Sequence, residues 1–349
     1  MKLSDFDYEL PPSLIAQLPL PERDQSRLMI LHRASGRIEH KSFPQLLEYM
    51  QKGDALVLND SKVIPARLLG ASPQRDAKDA RGEVLLLEEK ATNLWECLVK
   101  PAKKFRPGAR VFFKGHELKG EVLADTPLQS KIVRFRCDGD IRQLLETTGS
   151  VPLPPYIKRR TSLPTDRERY QTVFASKEGS VAAPTAGLHF TRQILDAVRR
   201  KGVRVCYVTL HVGLGTFQPV RVNQIEHHRV HAERFSIEKK PAQTLNRVRH
   251  DGGKILAVGT TSARVLETAA DDEGTIRPMT GKTNLFIHPG CRFKVLGNGA
   301  LLTNFHLPKS TLLMLVCAFA GRDFILQAYR EAVEAGYRFY SYGDAMLIL

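Results

Sequence analysis

Six short segments of this 349-residue sequence concentrate glycine, threonine and histidine, which suit close ligand contact and proton transfer. The first segment, 181–191, contains Thr185, Gly187 and His189 just before a predicted helix. Small residues let the backbone approach a ligand, and the amides at a helix start favour an anion. Because histidine titrates near neutral pH, His189 could carry a proton. A tight turn with a hydrogen-bonded histidine explains this segment equally well.

The second segment, 209–217, begins at the end of a predicted strand and carries His211, Gly213 and Gly215. It lacks a third glycine, and Pro219 prevents an immediate helix, so the dinucleotide-binding fingerprint is absent. The two glycines permit close approach to a planar or sugar-like ligand. A bend at a barrel corner is the alternative.

The third segment, 227–233, holds three histidines and Glu233 within seven residues. This composition suggests a metal site, but its spacing does not match the HExxH pattern, so we predict no metal. If the segment is extended, His231 and Glu233 share one face, because side chains alternate along a strand. Such a pair suits general acid or base catalysis.

The fourth segment, 258–264, joins a predicted strand to a predicted helix and contains Thr260, Thr261, Ser262 and Arg264. A hydroxyl-rich helix start beside an arginine could bind a carboxylate or a phosphate. Simple capping of the helix by Thr261 or Ser262 is the alternative.

The last two segments are 303–311, before a predicted apolar helix that Ser310 can cap, and 340–344, before the last predicted strand. His306 stands among polar and aromatic residues, which suits a ligand crevice in an α/β protein. Asp344 is either a solvated turn residue or a part of the same crevice. Together the six segments place polar clusters at strand ends, where ligands bind in this class.

Hydrophobic patterns indicate which elements position these segments. Strands are predicted at 55–58, 203–210, 254–258, 284–287 and 345–349. Helices are predicted at 43–50, after the capping residue Thr191, and at 262–270, 312–319 and 324–335. From about residue 70 to 150, short β-rich runs separated by Gly and Pro indicate a small barrel or sandwich. The sequence therefore predicts an α/β domain, 1–69 and 150–349, interrupted by an all-β insertion at 70–149.

The sequence is strongly basic, with 52 Lys and Arg against 37 Asp and Glu and a net charge of +15. Such a surplus indicates an anionic partner, most simply nucleic acid. The fifteen residues from 100 to 114 contain several basic side chains and no acid. The candidate RNA contacts are Lys100, Lys103, Lys104, Arg106, Arg110, Lys158, Arg159 and Arg160.

Cysteine usage and apolar runs indicate the compartment. Five widely spaced cysteines with no CxxC pair argue against a disulfide framework and a cysteine-based zinc site. The N-terminal residues lack the apolar core of a secretory signal, and the run 312–320 is less than half of the roughly 20 residues that span a bilayer. We expect a soluble, cytoplasmic protein without a membrane partner. Because no heptads or long apolar edge are present, we expect a monomer.

The six segments, in their order, resemble the S-adenosylmethionine:tRNA ribosyltransferase-isomerase family of queuosine biosynthesis. Further matches extend this resemblance over nearly the whole chain, at 6–11, 14–17, 57–68, 152–157, 169–172 and 343–348. The chain departs from the usual family pattern at 230–233, which reads Val-His-Ala-Glu instead of Met-His-Ser-Glu.

The resemblance implies an α/β fold with a barrel-like main domain and a small inserted β-barrel. It implies that S-adenosylmethionine gives its ribosyl group to the aminomethyl group of 7-aminomethyl-7-deazaguanine at the tRNA wobble position. The products would be epoxyqueuosine in tRNA, adenine and methionine. S-adenosylmethionine would be consumed as a co-substrate, and the resemblance implies no metal and no separate cofactor.

This reaction assigns roles to the six segments. The sulfonium acidifies the ribose 5′ carbon, so a base is needed first, and an acid helps adenine to leave. Arg264 and the helix start at 259–261 could hold the methionine carboxylate. The candidate catalytic residues are His189, His211, His231, Glu233, His306 and Asp344. The candidate substrate-binding residues are Asn59, Asp60, Arg67, Thr185, Gly187, Gly213, Gly215, Thr216, Phe217, Gly259, Thr260, Thr261, Arg264, Asn304 and Phe305.

Other classes of protein remain as alternatives. A non-catalytic RNA-binding protein explains the charge but not the polar clusters at strand ends. A metal-dependent nucleic-acid hydrolase would use some of the eleven histidines. An ordinary methyltransferase is disfavoured because no glycine-rich Rossmann loop appears early in the chain.

Overall fold

The computed structural model of the protein describes residues 1–73, 82–113, 118–127, 130–159, 163–213 and 220–349. The strands are β1 (Arg27–His32), β2 (Arg37–Ser42), β3 (Ala55–Asn59), β4 (Ser61–Val63), β5 (Arg67–Ser72), β6 (Gly82–Ala91), β7 (Leu94–Lys100), β8 (Arg110–Phe113), β9 (Lys119–Asp125), β10 (Lys131–Arg136), β11 (Lys177–Ser180), β12 (Arg204–Leu210), β13 (Glu233–Ile237), β14 (Ile255–Val258), β15 (Met279–Thr283), β16 (Ala300–Asn304) and β17 (Ala345–Ile348). The α-helices are α1 (Ile141–Thr148), α2 (Asp166–Arg169), α3 (Arg192–Arg200), α4 (Lys239–His250), α5 (Gly259–Ala269), α6 (Thr311–Ala320) and α7 (Arg322–Glu334).

A nine-stranded sheet forms the main part of the protein, in the order β15-β13-β12-β3-β14-β16-β17-β1-β2. At its centre β12, β3, β14 and β16 are parallel neighbours. Successive residues of β3 face opposite sides, so Ala55 and Val57 enter one hydrophobic core while Leu56 and Leu58 enter another. Helix α3 packs in the second core, and α4 to α7 pack in the first. Burial on both faces explains the continuous apolar runs of these strands.

The inserted β-rich block is a closed barrel with the strand order β10-β7-β6-β5-β8-β9. All six strands pair antiparallel around an apolar interior that includes Val84, Trp95 and Val133. Gly82 is required where β6 pairs with β5, because a Cβ atom there would lie 2.2 Å from the carbonyl oxygen of Ala71. The α/β fold with an inserted β-barrel is confirmed. The domain boundaries at 69/70 and 149/150 remain a prediction.

The predicted helix at 43–50 is present as a 3-10 helix, Phe43–Tyr49. Two other local predictions were wrong. The strand predicted at 284–287 lies instead at β15, and the chain leaves the sheet after Thr283, whose hydroxyl accepts a hydrogen bond from the Leu285 amide. Helix α5 begins at Gly259 without a side-chain cap, and Ser262 Oγ donates to the Val258 carbonyl. The capping alternative for the fourth segment is therefore excluded.

Two predicted helix caps were confirmed. Thr191 caps α3 and Ser310 caps α6, since each hydroxyl accepts a hydrogen bond from a backbone amide of the first turn.

Within the described ranges no single helix has the length and apolar character of a membrane span. Helices α6 and α7 have that length and character only when taken together, and the pair is bent by 115°. No group of three or more His, Cys, Asp or Glu side chains in those ranges is arranged to hold a metal ion.

Candidate functional site

A cavity of about 590 Å³, which we call the donor cavity, opens at the carboxyl ends of β14 and β16. Ligands bind at this edge of parallel strands in α/β sheets. Residues of five of the six segments, all except 227–233, line this cavity. Its predicted lining residues are Thr185, Gly259, Thr260, Thr261, Asn304, Phe305 and His306.

The start of α5 forms one wall of the donor cavity. Gly259 has a φ of +83°, a conformation that side-chain-bearing residues rarely adopt, and it turns the chain directly from β14 into the helix. The Oγ1 atom of Thr261 is buried and has no hydrogen-bond partner among the described residues. A buried hydroxyl without a partner is costly, so a ligand that bonded it would recover that cost.

His306 lines the donor cavity and is held on three sides. Its Nε2 atom lies 2.9 Å from Thr303 Oγ1, and its amide donates to the Tyr329 hydroxyl at 3.0 Å. The Tyr8 hydroxyl donates to the His306 carbonyl at 2.5 Å. Burial lowers the pKa of His306 to about 3, so the imidazole is neutral at physiological pH. A neutral, fixed imidazole can accept a proton.

His189 lies behind the cavity wall. Its Nδ1 atom is 2.8 Å from Ser26 Oγ, and its Nε2 atom is 3.1 Å from Asn304 Nδ2. The ring packs against Phe43, with 5.1 Å between centroids. Burial, with the charges of Arg338 and Arg23, lowers the pKa of His189 to about 3. Both ring nitrogens therefore have protein partners, which agrees with the alternative of a hydrogen-bonded histidine.

Two tyrosines that the sequence analysis did not select also line the donor cavity. The rings of Tyr156 and Tyr340 are 4.2 Å apart between centroids, and the Tyr156 hydroxyl bonds Ser341. Tyr340 has a φ of +73°, which is unusual for a tyrosine and marks a constrained position. The matched segments 152–157 and 340–344 pointed to this region, but the pairing of the two rings depends on the fold. Phe305, by contrast, has its ring packed against Tyr329, Tyr337 and Phe339 in the core.

The second and third segments line a separate cleft of about 240 Å³ between the barrel and the main sheet. Glu233 of β13 and the nearby loop residues His211, Gly213 and His231 line one side, and the barrel contributes acidic and basic side chains such as Glu96. Burial, with the charge of Arg234, lowers the pKa of His211 to about 4. Val212 lines both this cleft and the donor cavity, so the two spaces are neighbours.

Arg264 and Glu233 form an ion pair inside the protein, with side chains 7% and 3% exposed. The guanidinium also donates to the Leu285 carbonyl at 3.1 Å, and Glu233 accepts from the Gly213 amide at 2.7 Å. Arg264 is not among the described residues that line the donor cavity. The structure therefore gives Arg264 a partner other than the predicted methionine carboxylate.

Several other selected residues have structural contacts away from the donor cavity. Asp344 accepts hydrogen bonds from the amides of Arg27 and Arg338, at 2.9 Å and 2.8 Å. Asn59 bonds both backbone groups of Leu210, each at 3.0 Å. These contacts link neighbouring parts of the fold.

Three further substrate-binding candidates also have structural contacts. Asp60 accepts from the hydroxyls of Thr209 and Ser176. Arg67 pairs with Glu83 at 3.0 Å within the barrel. A Cβ atom on Gly187 would lie 2.8 Å from the Phe174 ring, so that glycine permits close packing.

The basic run lies on the barrel surface. Lys100, Lys103, Lys104, Arg106 and Arg110 are all exposed. Lys158 is exposed as well, whereas Arg159 pairs with Asp166 at 2.6 Å and is mostly buried. Four selected residues lie outside the described ranges: Arg160, Gly215, Thr216 and Phe217.

Comparison with known proteins identifies relatives along the whole chain. The sequence model of a family described as queuosine biosynthesis protein matches residues 3–348. The S-adenosylmethionine:tRNA ribosyltransferase-isomerases of Symbiobacterium thermophilum and Desulforamulus reducens are 54% and 52% identical to this chain, over 100% of both sequences in each case. A crystal structure of S-adenosylmethionine tRNA ribosyltransferase from Thermotoga maritima is 40% identical, covers 99% of this chain and 100% of that chain, and has a TM-score of 0.55.

Proposed function

The chain belongs to the queuosine biosynthesis family of S-adenosylmethionine:tRNA ribosyltransferase-isomerases, and we propose that it transfers and isomerises the ribosyl group of S-adenosylmethionine onto tRNA. The acceptor is the aminomethyl group of 7-aminomethyl-7-deazaguanine at the wobble position. The products are epoxyqueuosine in tRNA, adenine and methionine. The reaction consumes S-adenosylmethionine as a co-substrate and uses no metal.

The donor cavity is the observation that supports this proposal most strongly. Its volume of about 590 Å³ falls within the range of about 300–1,000 Å³ that is typical of small-ligand sites. The rings of Tyr156 and Tyr340 offer aromatic faces to the sulfonium or the adenine. The amides at the start of α5, with the Thr261 hydroxyl, suit the carboxylate of the methionine group.

Proton transfer is assigned first to His306, because it is the selected histidine that lines the donor cavity. If its Nε2–H donates to Thr303, the Nδ1 lone pair is available to take the 5′ proton that the sulfonium acidifies. His231, in the neighbouring cleft, is the candidate for the acid that helps adenine to leave, because the lowered pKa of His211, about 4, leaves that ring unprotonated at neutral pH. His189 and Asp344 act on the reaction only through the residues that they hold.

The tRNA binds through the exposed basic run of the barrel. The anticodon stem-loop carries closely spaced phosphates, and several exposed Lys and Arg side chains would neutralise them. The target base must leave its stack to reach the ribose, as bases in single-stranded loops can. We propose that the enzyme works in the cytoplasm as a monomer.

The experiment uses two labelled donors with tRNA that carries the aminomethyl-deazaguanine base. Ribose-labelled S-adenosylmethionine should leave its label on the tRNA with release of one adenine per transfer, whereas methyl-labelled donor should leave none. Control tRNA with guanine at the wobble position should accept neither label. Methyl transfer, or binding of the tRNA without adenine release, would contradict the proposal and favour a methyltransferase or a non-catalytic RNA-binding protein.

A further inference from the structure

A chain of hydrogen-bonded side chains runs from the protein interior to the wall of the donor cavity. It begins at Ser26 Oγ, which lies 2.8 Å from His189 Nδ1. His189 Nε2 is 3.1 Å from Asn304 Nδ2, and Thr185 Oγ1 is 3.0 Å from Asn304 Oδ1. Ser26, His189 and Asn304 are buried, at 2%, 4% and 2% exposure. Thr185 and Asn304 line the donor cavity, so the chain ends at the ligand site.

The backbone around Asn304 sets the direction of every hydrogen bond in this chain. Asn304 Nδ2 faces the carbonyl oxygens of Tyr340 and Asp344, at 3.1 Å and 3.4 Å. A carbonyl oxygen only accepts hydrogen bonds, so the amide nitrogen and not the amide oxygen must face this side. Asn304 Oδ1 then faces Thr185, and the Thr185 hydroxyl must donate its proton to that oxygen.

The same direction determines the state of His189. Its Nε2 atom faces a donor, so it must accept, and the single proton of a neutral ring is then on Nδ1, where it is donated to Ser26 Oγ. A protonated ring would place an N–H group against the Asn304 amino group. The low pKa of about 3 that burial, Arg338 and Arg23 give to His189 agrees with a ring that stays neutral. The Nε2 lone pair already accepts the Asn304 N–H, so it is not available to take a proton from the substrate.

We propose that Ser26, His189 and Asn304 are positioning residues that present the Thr185 hydroxyl to the donor cavity as a hydrogen-bond acceptor. Because the only Thr185 hydroxyl proton is committed to Asn304, its lone pairs are what a ligand meets. They receive an N–H or O–H group of S-adenosylmethionine, so this inference rests on the proposed function. Through the bond to the Tyr340 carbonyl, the same amide also holds Tyr340 at its unusual φ of +73°.

The binding test compares the Kd for S-adenosylmethionine, measured by calorimetry without tRNA, in matched variants. Thr185→Val keeps the shape of the side chain and removes the acceptor, so the Kd should rise about 5-fold or more, while Thr185→Ser should stay close to the native value. Asn304→Asp places an oxygen against the Tyr340 carbonyl and should raise the Kd at least as much. An unchanged Kd in Thr185→Val would overturn the proposal.

Analogues of S-adenosylmethionine identify which of its N–H or O–H groups contacts Thr185. Analogues that lack the α-amino group, the 6-amino group or one ribose hydroxyl are compared in the native protein and in Thr185→Val. The analogue that lacks the contacted donor should lose affinity in the native protein and lose nothing further in Thr185→Val, because the bond is already absent. Equal losses in both proteins for every analogue would overturn the proposed contact.

A conservative variant and a pH profile distinguish a positioning role of His189 from a role in proton transfer. In His189→Gln a side-chain oxygen can still accept from Asn304, so we expect most of the activity and both limbs of the pH profile of kcat/KM to remain. His189→Ala should raise the Kd and the KM together. If His189→Gln loses more than about 100-fold in kcat with an unchanged Kd, His189 carries a proton and the positioning role is wrong.

Different results would contradict the proposed function and the positioning chain. A native protein that binds no S-adenosylmethionine contradicts the proposed function, and this inference with it. A native protein that binds and transfers, with Thr185→Val indistinguishable from it, contradicts only the positioning chain. Circular dichroism and thermal melting of each variant check that the compared proteins are folded.

Discussion

The guanidinium of Arg264 donates to the Glu233 carboxylate inside the protein, joining α5 to the first residue of β13. This pair connects two regions with different surroundings. Helix α5 starts at the donor cavity, whereas Glu233 lines the cleft beside the barrel and holds the Gly213 amide. The pair therefore fixes the distance between the donor cavity and the neighbouring cleft. Its first consequence is for stability.

Removing Arg264 should destabilise the fold. In Arg264→Ala the Glu233 carboxylate stays buried without its cation, which costs about 3–5 kcal/mol in comparable sites. We expect that loss in the free energy of urea unfolding. A double variant, Glu233→Gln with Arg264→Met, should recover part of it because neither side chain of the buried pair is then charged. If Arg264→Ala keeps full stability but loses S-adenosylmethionine binding, Arg264 holds the methionine carboxylate instead.

Thr261 should contribute to ligand binding and not to the stability of the ligand-free protein. Its Oγ1 atom has no partner among the described residues, so Thr261→Val removes no hydrogen bond and should leave the melting temperature unchanged or higher. The Kd for S-adenosylmethionine should rise about 5-fold because the ligand loses a bond. Thr261→Ser, which keeps the hydroxyl, is the control. A lower melting temperature with native affinity would show that this hydroxyl is structural.

Stability should fall as the pH is lowered from about 6.5 toward 3. Burial lowers the folded-state pKa of His189 and of His306 from 6.5 to about 3, so in this window the unfolded chain binds protons that the folded chain does not. Each histidine then contributes a slope of about 1.4 kcal/mol per pH unit, and its effect vanishes above pH 6.5. His189→Gln should reduce the slope by that amount in urea unfolding series. Parallel slopes for the native protein and the variant would contradict a buried, neutral His189.

The barrel surface should carry the salt dependence of tRNA binding. Replacing Lys103, Lys104 and Arg106 by Ala should weaken binding and reduce the slope of log K against log salt by about 2–3. A matched control removes the same charge from α4, by replacing the exposed residues Lys239, Lys240 and Arg247. Filter binding at several salt concentrations measures the affinity and the salt slope of both triple variants. Equal losses in the two triple variants would mean that net charge, and not the barrel surface, attracts the tRNA.

The sequence by itself determined the fold class and most of the elements that carry the site. Apolar runs predicted the central strands, and Thr191 and Ser310 predicted two helix starts, because period and capping are local properties. Of the selected glycines, threonines and histidines, Gly259, Thr261 and His306 line the donor cavity, whereas His189 and His211 do not. The family resemblance gave the function, which neither composition nor charge could have specified.

Only the tertiary structure decided which selected side chains face the cavity. His189 and His306 look equivalent in sequence, but one bonds Ser26 and Asn304 behind the wall while the other lines the cavity. No local sequence pattern indicates that Arg264 pairs with Glu233. The pair forms only because β13 and α5 pack together in the fold. Each of these contacts joins residues far apart along the chain. Packing between distant segments determines where these side chains point, and local sequence patterns carry no information about that packing.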